Sequence, residues 1–258
     1  MNPFVFFVRF VVQNQQSGTK PRNRASKALI DRRTDPAMLL TAELFTPAPL
    51  LIAAGGYAAI MWWALRTAPW WQLFQPGRVS LFAMSVTGLA VLWSLNAGIS
   101  PGLSLHYLAV TTVTLMFGWQ FALLAVAFAL LPVTLFTAQA WASLPLAALL
   151  SGVLPVLVSY GVLRLVERTL PPHPFIYLYL CAFAGAALAI LSSMLAVGGL
   201  VYALEVYPAG KITSEYLVYL PLLVLPEAIL NGIMVTAMVM LKPQWLCTWS
   251  DERYLHGR

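Results

Sequence analysis

From residue 46 onward, long uncharged apolar runs alternate with short polar breaks. The runs fall at 46–65, 79–97, 102–117, 120–137, 143–163, 175–203 and 217–241. Several reach the ~20 residues that an α-helix needs to cross a hydrocarbon core. A membrane β-barrel would instead show short alternating segments. The pattern predicts an all-α, polytopic membrane protein with about seven transmembrane helices. The third and fourth runs together are too long for one crossing, so Gly118-Trp119-Gln120 must separate them. Pro132, Pro155 and Pro226 lie within runs and predict kinks or interruptions that free backbone carbonyls. Ala182, Gly185, Ala186 and Ala189 predict close helix packing. Trp62, Trp63, Trp70, Trp71, Trp119, Trp141, Trp245 and Trp249 fall near run ends, as an interfacial belt does. Trp93 lies inside a run and is expected to pack. No internal repeat of the inverted-carrier kind is visible.

Residues 1–37 do not follow this pattern, and the chain divides into a 1–37 leader and a 38–258 transmembrane body. Phe4 to Val12 is apolar, is interrupted by Arg9, and is too short to span. Lys20, Arg22, Arg24, Lys27, Arg32 and Arg33 follow it. A signal peptide carries its positive charges before the apolar region, so the order here is reversed. The leader reads either as a basic disordered tail or as a mis-assigned start, with translation beginning at Met38. The second is favoured.

Of 258 residues, 60% are hydrophobic and only 9% are charged, against about 25% charged in soluble domains. There is no glycine-rich phosphate loop, so any ATP hydrolysis would come from a partner. The net charge of +6 is mostly a terminal effect and does not indicate nucleic acid. Cys181 and Cys247 are far apart, which argues against a disulfide and leaves no CxxC metal site. Seven spans sort the basic residues by side. Arg66, Arg78, Arg164, Arg168, Lys242, Arg253 and Arg258 fall on one side and Lys211 on the other. Lys and Arg accumulate on the cytoplasmic side, so the C-terminus is expected inside and the N-terminus of the body outside.

Two groups stand out within the apolar body. His106 follows a turn-forming Ser100-Pro101-Gly102 and opens an uncharged run. Its imidazole can bind a transition metal, shuttle a proton, or hydrogen-bond a neighbouring helix. Asn96, Ser100 and Ser104 lie near it in sequence and allow an outward-open polar pocket. Glu227 follows Pro226 in the last run, and Asn231, four residues on, shares its helix face. A carboxyl at that depth is an ion site, a polar clamp, or a helix–helix bond to a hydroxyl such as that of Thr87 or Thr112. His173 and His256 read as solvated, as do Glu205, Lys211 and Glu215. The tail, with Lys242, Asp251, Glu252 and Arg253, reads as solvated or as a contact for a cytosolic partner. Glu43 could reach a site at the outer face. No serine, cysteine or aspartate constellation fits an intramembrane hydrolase, so the chain does not read as an enzyme.

The segment Gly102-Leu103-Ser104-Leu105-His106-Tyr107-Leu108, followed by Gly118-Trp119, resembles the Gly-x-Ser-x-His segment of the CbiM/NikM family. Those proteins are the membrane substrate-capture components of energy-coupling-factor (ECF) transporters for cobalt and nickel. The last span, with Glu227, Asn231 and Thr236, is similar to that family's glutamate-bearing closing helix. Pro243-Gln244-Trp245 and Tyr254-Leu255 are similar to the endings of a shorter bacterial branch. The resemblance implies a bacterial inner-membrane permease. Its substrate would be a divalent transition-metal ion such as nickel or cobalt, with no resident cofactor. Its partners would be a transmembrane coupling protein and cytosolic ATPases, besides membrane lipid. It carries the metal-ligand role onto His106. The family's chelate also uses the N-terminal amine and a histidine directly after the initiating methionine. Met1-Asn2 and Met38-Leu39 both lack that histidine. The Met38 amine, on a start there, and Glu43 remain additional donors, and Glu227, Asn231, Ser104 and Asn96 the polar intramembrane candidates. Two other readings stay open: an ion-coupled secondary carrier protonated at Glu227, and a non-transporting membrane scaffold.

The charge distribution makes a direct prediction. Reporter fusions after Arg66 and Arg258 should be active only with a cytoplasmic reporter, and one after Lys211 only with an external reporter. An external reporter active at Arg258 would overturn the orientation.

Overall fold

The computed structural model describes residues 47–95, 97–100, 103–136 and 141–255. All of them fall in one compact unit, 36–258. The described chain is helical apart from one short ribbon. Its rods are α1 (Pro47–Thr67), α2 (Arg78–Ser94), α3 (Val110–Phe117), α4 (Trp119–Phe136), α5 (Trp141–Thr169), α6 (Pro174–Ala203) and α7 (Leu220–Leu241). Four helical stretches are long and apolar enough to cross a membrane: α1, α5, α6, and Ala209–Leu241, which ends in α7. The chain is a multi-pass membrane protein. Leu51, Ile52, Met84, Leu135, Ile233 and Met240 are exposed on the bundle's outside, where lipid rather than water is the solvent.

Gly118 divides the third run from the fourth. It has φ 84, a conformation that residues with a Cβ rarely adopt, and α4 starts immediately after it. Run 102–117 is not one helix, however. Strand β1 (Ala97–Ser100) pairs antiparallel with β2 (Leu103–Leu105), Ala97 opposite Leu105. The chain then runs without helix to Ala109, which sits in the left-handed region at φ 52. Only α3 follows, eight residues long and thus about 12 Å, against a hydrocarbon core of ~30 Å. All eight residues are buried. An apolar run looks the same whether it is extended or helical when every side is buried, which is why the sequence pattern does not show the break.

The helices continue through the three prolines. Pro132 and Pro226 lie inside α4 and α7. Pro155 follows a widened turn, Leu149–Val153, in which the helix takes i→i+5 geometry. The Pro155 carbonyl accepts from the Ser159 hydroxyl at 2.8 Å. Ser159 also bonds Thr111 of α3 at 2.7 Å, tying α5 to the central helix. Ala182, Gly185, Ala186 and Ala189 are all buried. A Cβ on Gly185 would lie 3.7 Å from Thr111 Cγ2, so small residues let α6 approach α3 closely.

Two belt tryptophans do other work. Trp119 is buried, its ring centroid 4.8 Å from that of Trp63. Trp249 is buried in the tail. Trp62, Trp63, Trp70, Trp71 and Trp141 are exposed. The tail itself, expected to be solvated, folds back onto the body because it carries aromatic surface. Trp249 and Tyr254 stack at 4.6 Å, and Tyr177 meets each at 5.1 Å. Arg253 and Arg164 flank Glu167 at 2.8 and 3.0 Å.

The tightest helix contact yields a prediction. A Cβ on Gly152 would collide with Val126 Cγ1, whereas one on Gly88 meets nothing within 4 Å. Gly152→Ala should cost about 1–3 kcal/mol from overpacking and lower the melting temperature in detergent. Gly88→Ala should not lower it. Equal melting temperatures for the two variants would contradict this packing.

Candidate functional site

The site is built around both ends of α3. Four N–H groups at the start of a helix and four C=O groups at its end have no partner within it. In a membrane interior no water is available to take them. No side chain of its own caps α3. Instead α7 reaches across. Glu227 Oε2 accepts from the Leu108 N–H at 2.9 Å and Oε1 from the Ala109 N–H at 2.7 Å. Asn231 Oδ1 accepts from the Thr112 N–H at 2.9 Å and from the Thr112 hydroxyl at 2.7 Å. The Asn231 amide donates to Glu227 Oε1 at 2.9 Å and to the Glu227 carbonyl at 2.8 Å. Asn231 therefore acts as an N-cap side chain supplied from another helix. Glu227 and Asn231 are 1% and 0% exposed. Among the described residues, Thr87 bonds only its own helix, at the Ala83 carbonyl, as does Thr236 at Gly232.

The tail closes the other end. The Thr248 hydroxyl donates to the Leu115 carbonyl at 2.8 Å, and the Cys247 N–H to the Met116 carbonyl at 3.0 Å. Arg78 adds a longer bond to Met116 at 3.5 Å and one to the Trp245 carbonyl at 3.2 Å. A groove of ≈ 300 Å³ opens at this end between the tail and helices α4 and α5, with Glu167, Arg164 and Arg253 at its edge.

His106 lies just before the capped junction. It is 8% exposed, and neither ring nitrogen has a hydrogen-bond partner among the described residues. Burying such a group unpaired costs several kcal/mol, of order ~2–7, so the position calls for a polar partner. The imidazole lines a cavity of ≈ 20 Å³ together with Ser104, Ser151, Ser193, Met194 and Tyr216. That volume holds about one water or one ion. The Trp93 ring meets the imidazole edge-on at 5.7 Å, and Trp93 Nε1 donates to the Leu108 carbonyl at 3.0 Å.

The structure brings His106 and Ser104 together and holds Glu227 and Asn231 apart from them. Neither lines the cavity; both are engaged by α3, and both Glu227 oxygens are occupied as acceptors. Glu227 is thus poorly placed to trade protons as a carrier site. Met38, Glu43, Asn96 and His256 lie outside the described residues, as does the side chain of Ser100. His173 is exposed and accepts from the Phe175 N–H at 3.3 Å, capping α6. Ser151, Ser193, Met194 and Tyr216 were not singled out by sequence. Ser151 and Ser193 signal only as isolated polar residues inside apolar runs, which structural hydroxyls share; Met194 and Tyr216 carry no such signal.

The caps can be weighed by substitution. Asn231→Ala removes the acceptor of both the Thr112 N–H and the Thr112 hydroxyl, whereas Thr248→Val removes one donor to the buried Leu115 carbonyl. Each should cost about 1–3 kcal/mol, with the larger fall in melting temperature for Asn231→Ala. A melting temperature unchanged in Asn231→Ala would refute the capping role.

Comparison with known proteins accords with this arrangement. A family described as "Cobalt uptake substrate-specific transmembrane region", CbiM, matches residues 40–245. A solved structure titled as a truncated transition metal transporter aligns with a TM-score of 0.67 at 17% identity, covering 79% of this chain and 99% of that one. A second, titled as a transition metal transporter, aligns with a TM-score of 0.66 at 17% identity, covering 79% and 93%. At that identity the likeness is one of fold. No curated protein matches. With four-fifths of its length under the family match, the chain belongs to the CbiM family.

Proposed function

We propose that this chain is the substrate-binding permease component of an ECF-type importer. It takes a divalent transition-metal ion of the cobalt/nickel class, with His106 as a ligand. The observation that carries the reading is the buried imidazole of His106, both nitrogens unpartnered among the described residues, on a cavity the size of one ion. Imidazole suits nickel, copper, zinc and iron. The hydroxyls of Ser104, Ser151, Ser193 and Tyr216 and the Met194 thioether supply neutral donors around the cavity. Among the described residues no group of three or more His, Cys, Asp or Glu could hold a metal ion. His106 alone therefore does not complete a chelate. Donors from the N-terminal part of the body, the Met38 amine and Glu43 among them, would add to it.

The role is transport rather than catalysis. A transmembrane coupling protein and cytosolic ATPases would drive it. Support for the orientation, C-terminus cytoplasmic in a bacterial inner membrane, comes from the basic residues. Hydrogen bonds and ion pairs link Thr67 to Gln120, Arg78 to Trp245, and Glu167 to Arg164 and Arg253. The segment ends bearing those arginines therefore share one end of the bundle, as a cytoplasmic face requires.

The test pairs binding with stability. Wild type should bind nickel or cobalt by calorimetry at micromolar concentration. His106→Ala should lose binding with little fall in melting temperature, because the imidazole makes no hydrogen bond among the described residues to lose. Unchanged binding in the variant, or no binding by wild type, would reject His106 as a metal ligand.

A further inference from the structure

We propose that Glu227 is a positioning residue for His106, acting through the backbone to aim the imidazole into its cavity. This rests on the reading of His106 as substrate ligand. Glu227 does not line the cavity. It holds the N–H groups two and three residues beyond His106, at Leu108 and Ala109, through its two carboxyl oxygens.

The segment between β2 and α3 has no helical bonds to hold it, yet it is locked at each peptide after Tyr107. Leu108 is bonded on both sides, its N–H to Glu227 and its C=O to Trp93 Nε1 at 3.0 Å. Ala109 follows at φ 52, a conformation unfavourable for an L-residue that persists only where its surroundings over-determine it. Glu227 supplies that constraint, and Asn231 fixes Glu227 in turn through Oε1. Trp93 completes the frame by packing its ring against the imidazole in a T-shaped contact, centroids 5.7 Å apart.

The residue type follows from the donors. Two successive N–H groups point at one side chain, and only a carboxyl carries two acceptor oxygens on one carbon. A glutamine would turn a donor toward one of the two N–H groups. An alanine would leave both unpaired, where no water reaches them. In either case the junction relaxes, and His106 moves with it.

The experiment uses the full chain in detergent, in a His173→Gln, His256→Gln background, so that His106 is its only histidine among the three in the sequence. Three quantities are read. The first is the rate of imidazole modification by diethyl pyrocarbonate in the metal-free protein. The others are nickel affinity by calorimetry and melting temperature. Glu227→Ala should raise the modification rate and weaken nickel binding, each at least tenfold. Glu227→Gln, which keeps one acceptor, should fall between Glu227→Ala and the parent in both. Tyr254→Ala, which breaks the aromatic stack at the far end, should lower the melting temperature and leave both other readouts unchanged. A Glu227→Ala protein that melts lower but keeps its modification rate and affinity would overturn the proposal. If Glu227→Ala does not fold, Glu227→Gln decides: an unchanged modification rate overturns the proposal and a raised one supports it. If the parent binds no nickel, the metal reading fails, and the modification rate still decides the positioning role.

Discussion

A helix of eight residues, buried on every side within lipid, must have its end groups satisfied by other parts of the chain. That constraint organises this protein. α3 is too short to cross a membrane and too buried to borrow water for its free N–H and C=O groups. Helix α7 supplies the acceptors at its start through Glu227 and Asn231. The C-terminal tail supplies donors at its end through Cys247 and Thr248. Segments far apart in sequence are thereby drawn onto one element, and the remaining helices pack around it through small residues such as Gly185 and hydroxyls such as Ser159.

The same arrangement explains why His106 can be left without a partner among the described residues. A non-helical stretch just before a fixed helix start presents its side chains at defined positions without a helix's own crowding. Ser104 comes from β2, His106 from the non-helical stretch after it and Ser151 from the widened turn of α5, so backbone outside regular α-helix contributes three of the groups around the cavity. Irregular backbone at membrane depth survives only where protein buries it or it lines a cavity. Both conditions hold here. The far end of α3 meets the tail and the groove beside it, so one short helix links the His106 junction to the end of the bundle that the tail covers.

Much of the outline was legible in sequence, for physical reasons. Apolar run lengths report helices because lipid imposes them, and the observed rods α1, α2 and α4 to α7 lie within a few residues of the expected runs. Gly118 was legible as a break because no single crossing could hold both neighbouring runs. The shared face of Glu227 and Asn231 followed from their four-residue spacing. The Thr112 hydroxyl, a candidate partner for Glu227, bonds Asn231 instead, and the backbone partners were not legible, because N–H groups some 119 residues away leave no side-chain signature. The extended stretch before α3 was hidden for a related reason: burial on every side erases the periodicity that separates strand from helix. The tail misled through its charges. Asp251, Glu252 and Arg253 suggested solvation, while Trp249 and Tyr254 carried the surface that folds it back.

The central claim is that this capped junction presents a single buried imidazole to a metal-ion substrate. The most direct measurement is X-ray absorption at the nickel edge on the loaded, purified full chain. The account predicts multiple-scattering features of one coordinated imidazole, retained when His173 and His256 are replaced. A nickel spectrum without imidazole scattering, or one whose imidazole signal disappears with His173 or His256, would contradict it.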